Sequence, residues 1–452
     1  VNNPIAGAIL TPVLMCALPA FAQEATVPTP VPAAAPVAST ENAKAPPQLF
    51  DADLLKLYLD VMKDVKRISN HHSTLKERVE LARNFTFSPE TKAELKTQFG
   101  NDDPLHLTVE DLPGGGAAIH GKSDALDHTD AKSGAALHID PFTAESVVNR
   151  NYNGIKFNIT IPDVKLTSTG DLKLLDVNDI SVTGDNTIGP YNFQIGKSSG
   201  KVGRMHFSGG TAFALDLNDL NVDADVTARN KMFDLRYLYR VASVDWGSDK
   251  VENINTDISI VNVDGQSMED LVDFAESVNV GNQPDAAQTD AMMKMLKRFA
   301  ITLSKHNGAI DIRDLSAQYH GERAGLSGRV TLPNLKQADL DSVQKTYEKL
   351  AVRLRLHVPM SMIDEITHRF SRTMMEAQAK QSGTPVTDMA VDLVARGLVG
   401  KMTDTLVKQQ KWAHMEKAEL VTVFEVKKGK MYLDGHVVNA KSNPFMAMAQ
   451  GK

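Results

Sequence analysis

Between Asn151 and Gly265 apolar and polar residues alternate with a period of two. In Gly154 to Ile161, the side chains of Ile155, Phe157, Ile159 and Ile161 point one way and those of Lys156, Asn158 and Thr160 the other. That alternation predicts an extended strand with one buried and one wet face. The pattern returns at Phe213, Leu215 and Leu217, at Val222, Ala224 and Val226, and at Ile254, Ile258 and Ile260. Clusters of Gly, Asn and Asp separate the runs, as turns between antiparallel strands require. An Asp beside an aliphatic residue recurs at Asp111, Asp163, Asp179, Asp219 and Asp314, each time where one apolar run gives way to another. These positions are expected to be bends, and their irregular spacing excludes a strict solenoid.

Helical spacing appears on either side of this meander. Leu54, Tyr58, Val61, Val65 and Ile68 predict an amphipathic helix over 51–69 with Asp51 as N-cap. A mixed polar region follows, then a strand at Leu105, Leu107 and Val109. Further helices are expected over 267–278, 284–303, 337–350, 361–378 and 387–410, with strands at 310–312, 326–332 and 351–358 between them. The chain closes as a hairpin, 420–426 and 430–438, turning at Lys428 and Gly429. This order reads as α+β: a long antiparallel β-meander, a curved sheet, with helical segments packed on or beside it. The division expected is a signal peptide over 1–22, an Ala/Pro-rich linker over 23–48 and a helix plus meander over 49–265. A mixed lobe over 266–440 and a tail over 441–452 complete it.

Composition narrows the function classes. A net charge of -7 and a pI near 6.0 argue against a nucleic-acid partner, which draws basic excess. Pro4 to Phe21 is mostly apolar and ends in Ala20-Phe21-Ala22, an A-x-A-like cleavage site before Gln23. Export to the periplasm is therefore expected, the alternative being an uncleaved inner-membrane anchor that faces the same compartment. The single cysteine, Cys16, lies in the removed segment, so no disulfide or thiol chemistry is expected. The Pro-rich stretch from Glu24 to Pro47 reads as an extended tether.

Several motifs match known chemistry in letters only. Gly116 to Ser123 fits a P-loop, but a turn at Leu112 to Gly115 precedes it and no helix follows, so a β-hairpin is expected. Gly196 to Gly200 fits a nucleophile elbow around Ser198, yet Val202 to Phe207 alternates like a strand instead of opening a helix. His120, Asp124, Asp127, His128 and Asp130 follow no recognised metal spacing, and His71-His72 reads as a solvated helix end. An envelope hydrolase using Ser198 or the His/Asp cluster stands as the alternative function. No catalytic, cofactor or metal residue is assigned, and no cofactor is expected. Methionines gather on the predicted helices, among them Met292, Met295, Met362, Met374 and Met389; they suit either a helix core or an adaptable binding face.

Four segments carry a family resemblance: Phe193 to Lys197 followed by Val202; Ile258 to Asp264 leading into Leu271; Leu356 to Pro359 before a helix; and the hairpin from Gly429 to Gly435. The chain resembles the YdgA-like family of uncharacterised bacterial envelope proteins, colinearly over its later part. The resemblance implies an envelope location and a membrane anchor at the front, where this chain instead reads as cleavable. It implies no activity. The expected role is non-enzymatic, holding or passing apolar, lipid-like molecules or docking envelope proteins, with peripheral or tethered membrane association. The candidate apolar face is Ile155, Phe157, Ile159, Ile161, Phe213, Leu215 and Leu217.

Overall fold

The structure, a computed structural model, describes residues 52–69, 72–130, 134–168, 172–209, 213–247, 249–277, 286–382 and 385–438. The expected signal peptide, linker, Asp51 cap, His71 and tail lie outside the described residues. The fold is α+β, with a long antiparallel meander, and every pairing whose register is defined is antiparallel. The chain divides into two compact units within one strand, between Leu220 and Asn221, so the division falls inside the meander.

The first unit opens with helices α1 (Ala52–Ser69), α2 (Leu75–Arg83) and α3 (Pro89–Phe99). The last two occupy the region that hydrophobic spacing left without an element. Their ends specify them: Thr74 and Glu77 form a capping box for α2, while Ser88 caps α3, with Pro89 in its first turn and Gly100, at φ 72°, after it. Strands β1 (Leu105–Asp111), β2 (Ala117–Ser123), β3 (Leu126–Thr129), β4 (Ala136–Ile139) and β5 (Thr143–Val148) follow. Then come the long strands β6 (Gly154–Thr167), β7 (Leu172–Ile188), β8 (Gln194–Gly209) and β9 (Phe213–Arg229). The order β1–β2–β5–β6–β7–β8 is fixed by their registers, and β4 pairs with the far half of β6.

The recurring Asp motif turns out to lie within strands as well as at their ends. Asp179 and Asp219 adopt left-handed backbone, φ 55° and 50°, in the middle of β7 and β9. The strands run on through them, and the apolar positions change parity, from Leu175 and Val177 to Ile180, and from Leu215 and Leu217 to Leu220. Because a left-handed residue rotates the pleat, both halves feed the same core. Asp and Asn tolerate this geometry, which explains their recurrence there.

The second unit holds β10 (Met232–Trp246) and β11 (Asp249–Asp264), then helices α4 (Gly265–Ser277) and α5 (Ala286–Lys305). Next come β12 (Ala309–Tyr319), β13 (Glu322–Thr331), the short α6 (Val343–Lys349) and β14 (Ala351–Pro359). The single helix expected over 337–350 is instead a 3-10 turn and α6, because Ser342 caps a new helix there. Helices α7 (Met360–Ser382) and α8 (Asp388–Thr403) precede β15 (His414–Glu416), β16 (Glu419–Lys427), β17 (Lys430–Leu433) and β18 (His436–Val437). Lys428 and Gly429, at φ 52° and 67°, make the expected hairpin turn.

Candidate apolar binding face

The sequence-derived face belongs to a closed core. Ile155, Phe157, Ile159 and Ile161 are all buried, while Lys156 and Asn158 opposite are exposed. Phe157, Ile159 and Ile161 pack with Val177, Ile180 and Phe207 of β7 and β8, and Leu215 and Leu217 lie half-buried against them. Ile155 packs instead under α1 and α2, with Ile68 and Val79. Phe213 begins β9, and its side chain lies outside the described residues. Opposite Phe157 stands Gly184, whose missing side chain leaves room for the ring.

A wider apolar face lies in the second unit, and the registers define it. Leu235, Ile260, Ile310, Val330, Val352 and Val426 are direct cross-strand neighbours over six strands. Two residues along, Tyr237, Ile258, Ile312, Gly328, Leu354 and Phe424 form the next row, and Tyr239, Thr256, Leu315, Leu326, Leu356 and Thr422 the third. Alternate positions share a face, so these rows lie on one side of the sheet.

Exposure rises across the rows. Leu235 and Val426 in the first are buried, and the side chains of the second are half-buried. In the third, Tyr239 is 43% exposed and Leu315 40%. The buried end continues into Phe233, Val263, Met268 and Met295, where α4 and α5 meet β11. An apolar face of this extent is ordinarily covered or occupied, since each Å² left wet forfeits about 25 cal/mol.

The reverse face is ionic. Between the apolar rows runs the line Arg236, Ser259, Asp311, Arg329, Arg353 and Glu425, one residue from each of the same six strands. Arg236 donates to both oxygens of Asp257 at 2.9 and 2.7 Å, which holds that carboxyl below its usual range. Arg329 pairs with Asp311 at 3.4 Å and Arg353 with Glu425 at 3.5 Å, opposite charges on neighbouring strands that support the register. The alternation at Ile258 and Ile260 showed part of this face in sequence, but helices separate β11 from β12 and β13 from β14, so its extent emerges only when the strands' alternating positions are aligned side by side.

The polar candidates do not converge. His120 pairs with Glu145, Asp127 lies 2.6 Å from His138 Nδ1, and His128 Nδ1 lies 3.0 Å from the Gln98 carbonyl oxygen. Asp124 accepts a hydrogen bond from Asn101, and the Asp130 amide donates to the Ala135 carbonyl. Among the described residues no three His, Cys, Asp or Glu side chains could hold a metal ion together. Ser198 lies within β8, where Asn186 Nδ2 donates to its hydroxyl at 3.1 Å; no helix follows it. Gly116 to Ser123 is the turn and second strand of the β1–β2 hairpin, as expected. The methionines divide: Met295 and Met362 are buried, Met293, Met374 and Met389 exposed.

One imidazole is held between two carboxylates. His414 Nδ1 lies 2.8 Å from Asp434 and Nε2 2.9 Å from Glu416, which also accepts from Arg355. Glu416 and Asp434 together raise the His414 pKa above its ordinary value. A raised folded-state pKa means stabilisation that is complete below the unfolded value, about 6.5, and fades as pH rises through the folded one. Melts of the parent and His414→Gln between about pH 5.5 and about pH 9 should therefore differ most at the acid end and converge at the alkaline end.

No helix among the described residues is long and apolar enough to cross a membrane. The profile of a family described as bacterial protein of unknown function (DUF945) matches residues 82–441. No curated protein and no solved structure matches the chain.

Proposed function

We propose that this chain, which belongs to the DUF945 family of bacterial proteins of unknown function, is a non-enzymatic envelope protein that binds lipid-like molecules. The binding surface in this reading is the three-row apolar face of the second unit, with its exposed end at Tyr239, Leu315 and Leu356. The observation that carries it is the gradient of exposure across those rows. A face that needed no ligand would be covered along its whole length, as the Phe157 core is. The apolar segment before Gln23 and the likeness to YdgA-like envelope proteins support a periplasmic location. Among the described residues Ser198 is bonded to the Asn186 amide and to no carboxylate or imidazole, which favours binding over hydrolysis.

The test is mass spectrometry of lipids retained by protein purified from its own envelope. Lipid above the level carried by an unrelated envelope protein is expected. A variant with Ile312→Asp and Leu354→Asp should retain at least about tenfold less, since each charge must be desolvated beneath an apolar ligand. A parent carrying no lipid, or a double variant that melts normally and keeps its lipid, would overturn the reading.

A further inference from the structure

We propose that the exposed flank of α8 docks on the surface of an anionic lipid bilayer. Met389 and Leu393 are four residues apart along α8 and so form one stripe. On α8, Met389 and Leu393 are 82% and 74% exposed, and beyond them Gly397 and Gly400 open onto empty space. Other positions hold the helices together: Ser371, Val391, Ala395 and Val399 are buried, and His368 Nε2 lies 2.8 Å from Asp392. The stripe is therefore surplus to the packing of the hairpin.

Arg369 anchors α7, the helix on which α8 packs. Its guanidinium pairs with Asp249 and with Glu365, and lies 5.4 Å from the centre of the Tyr319 ring. Those contacts tie α7 to the strand ends. The same strand, β14, that carries Leu356 at the exposed end of the apolar face leads directly into Met360 of α7.

Charge selects the partner. The acidic residues early in α8 are engaged by α7, Asp388 by Arg372 and Asp392 by His368. Arg396 and Lys401 flank the α8 stripe, at about 60–80° from it for about 100° per residue, and are exposed. Neither forms an ion pair among the described residues. An apolar stripe edged by free cations suits acyl chains beneath anionic headgroups. A second copy is disfavoured, because a two-fold contact would bring this positive face against itself.

Sedimentation with vesicles of phosphatidylglycerol and phosphatidylethanolamine tests the proposal, with phosphatidylcholine vesicles as reference. The parent should bind the anionic vesicles preferentially. M389E/L393E should weaken binding at least about tenfold, and R396Q/K401Q about fivefold, the latter difference vanishing near 1 M salt. As a second readout, L393W should shift its emission to the blue on anionic vesicles. A Leu354→Asp variant that melts like the parent should still bind the vesicles, which separates docking from lipid retention by the sheet. Absence of binding, binding indifferent to M389E/L393E, or binding lost in a Leu354→Asp variant that melts like the parent would overturn the proposal. So would a lipid-free dimer that M389E/L393E splits, which would make a second copy the partner.

Discussion

Phe157→Asp should abolish folding of the first unit, while Asn158→Asp leaves its melt within about 0.5 kcal/mol of the parent. Phe157 is 5% exposed, and its ring fills the space above Gly184 on the neighbouring strand. A carboxylate placed there has no basic partner in the surrounding core of Ile159, Val177 and Phe207. Burying it unpaired costs several kcal/mol, comparable to the roughly 5–15 kcal/mol margin of a whole domain. Asn158 is on the wet face of the same strand, so a charge there stays hydrated. Paired thermal melts decide. Two parent-like melts would mean that the core tolerates water, and two collapses would mean that β6 is buried on both sides.

The second large effect is expected at Gly328. This residue sits in the middle row of the apolar face, at φ 154°, beside the register shift between Ile312 and Leu315. A Cβ there would overlap the Arg353 carbonyl oxygen and lie 2.7 Å from the Leu354 Cα. Both are backbone atoms of β14, which cannot swing aside without breaking the pairing. Gly328→Ala should therefore cost about 3 kcal/mol or more. Gly397 is a control of opposite sign: it is helical with nothing near its missing Cβ, so Gly397→Ala should stabilise by about 0.5–1 kcal/mol. Denaturant melts of the two variants check the contrast; equal effects would place the strain elsewhere.

Much of the architecture was legible because periodicity is a local signal. The alternation from Ile155 to Ile161 reports a buried face in a single strand, and the spacing of Leu54, Tyr58 and Val61 reports a helix without further context. Helices α2 and α3 escaped because their apolar stripes are short; their capping residues, Thr74 with Glu77 and Ser88 with Pro89, were the readable sign. The Asp recurrence was visible, but a left-handed residue looks the same in sequence whether it ends a strand or kinks one. Which apolar face is filled and which stays open depends on what lies across the sheet. Phe157 and Leu354 have equivalent alternation, yet one lies in a buried cluster with side chains of β7 and β8 and the other is left half-open. That difference arises from non-local packing.

The consecutive pairing of strands bears on the order in which structure can form. From β10 to β14 each strand bonds to its predecessor, some pairs joined by tight turns and others across helices. Closing a short hairpin costs little chain entropy, so these joints can add one after another as their strands become available. The joint between β14 and β16 is different, because α7 and α8 lie between its partners. Until the hairpin of helices has folded back, Val352 to Pro359 remains a bare edge, open to any other strand that reaches it first. Folding of α7 onto α8 is therefore the step that brings β16 to this edge and closes it to other strands.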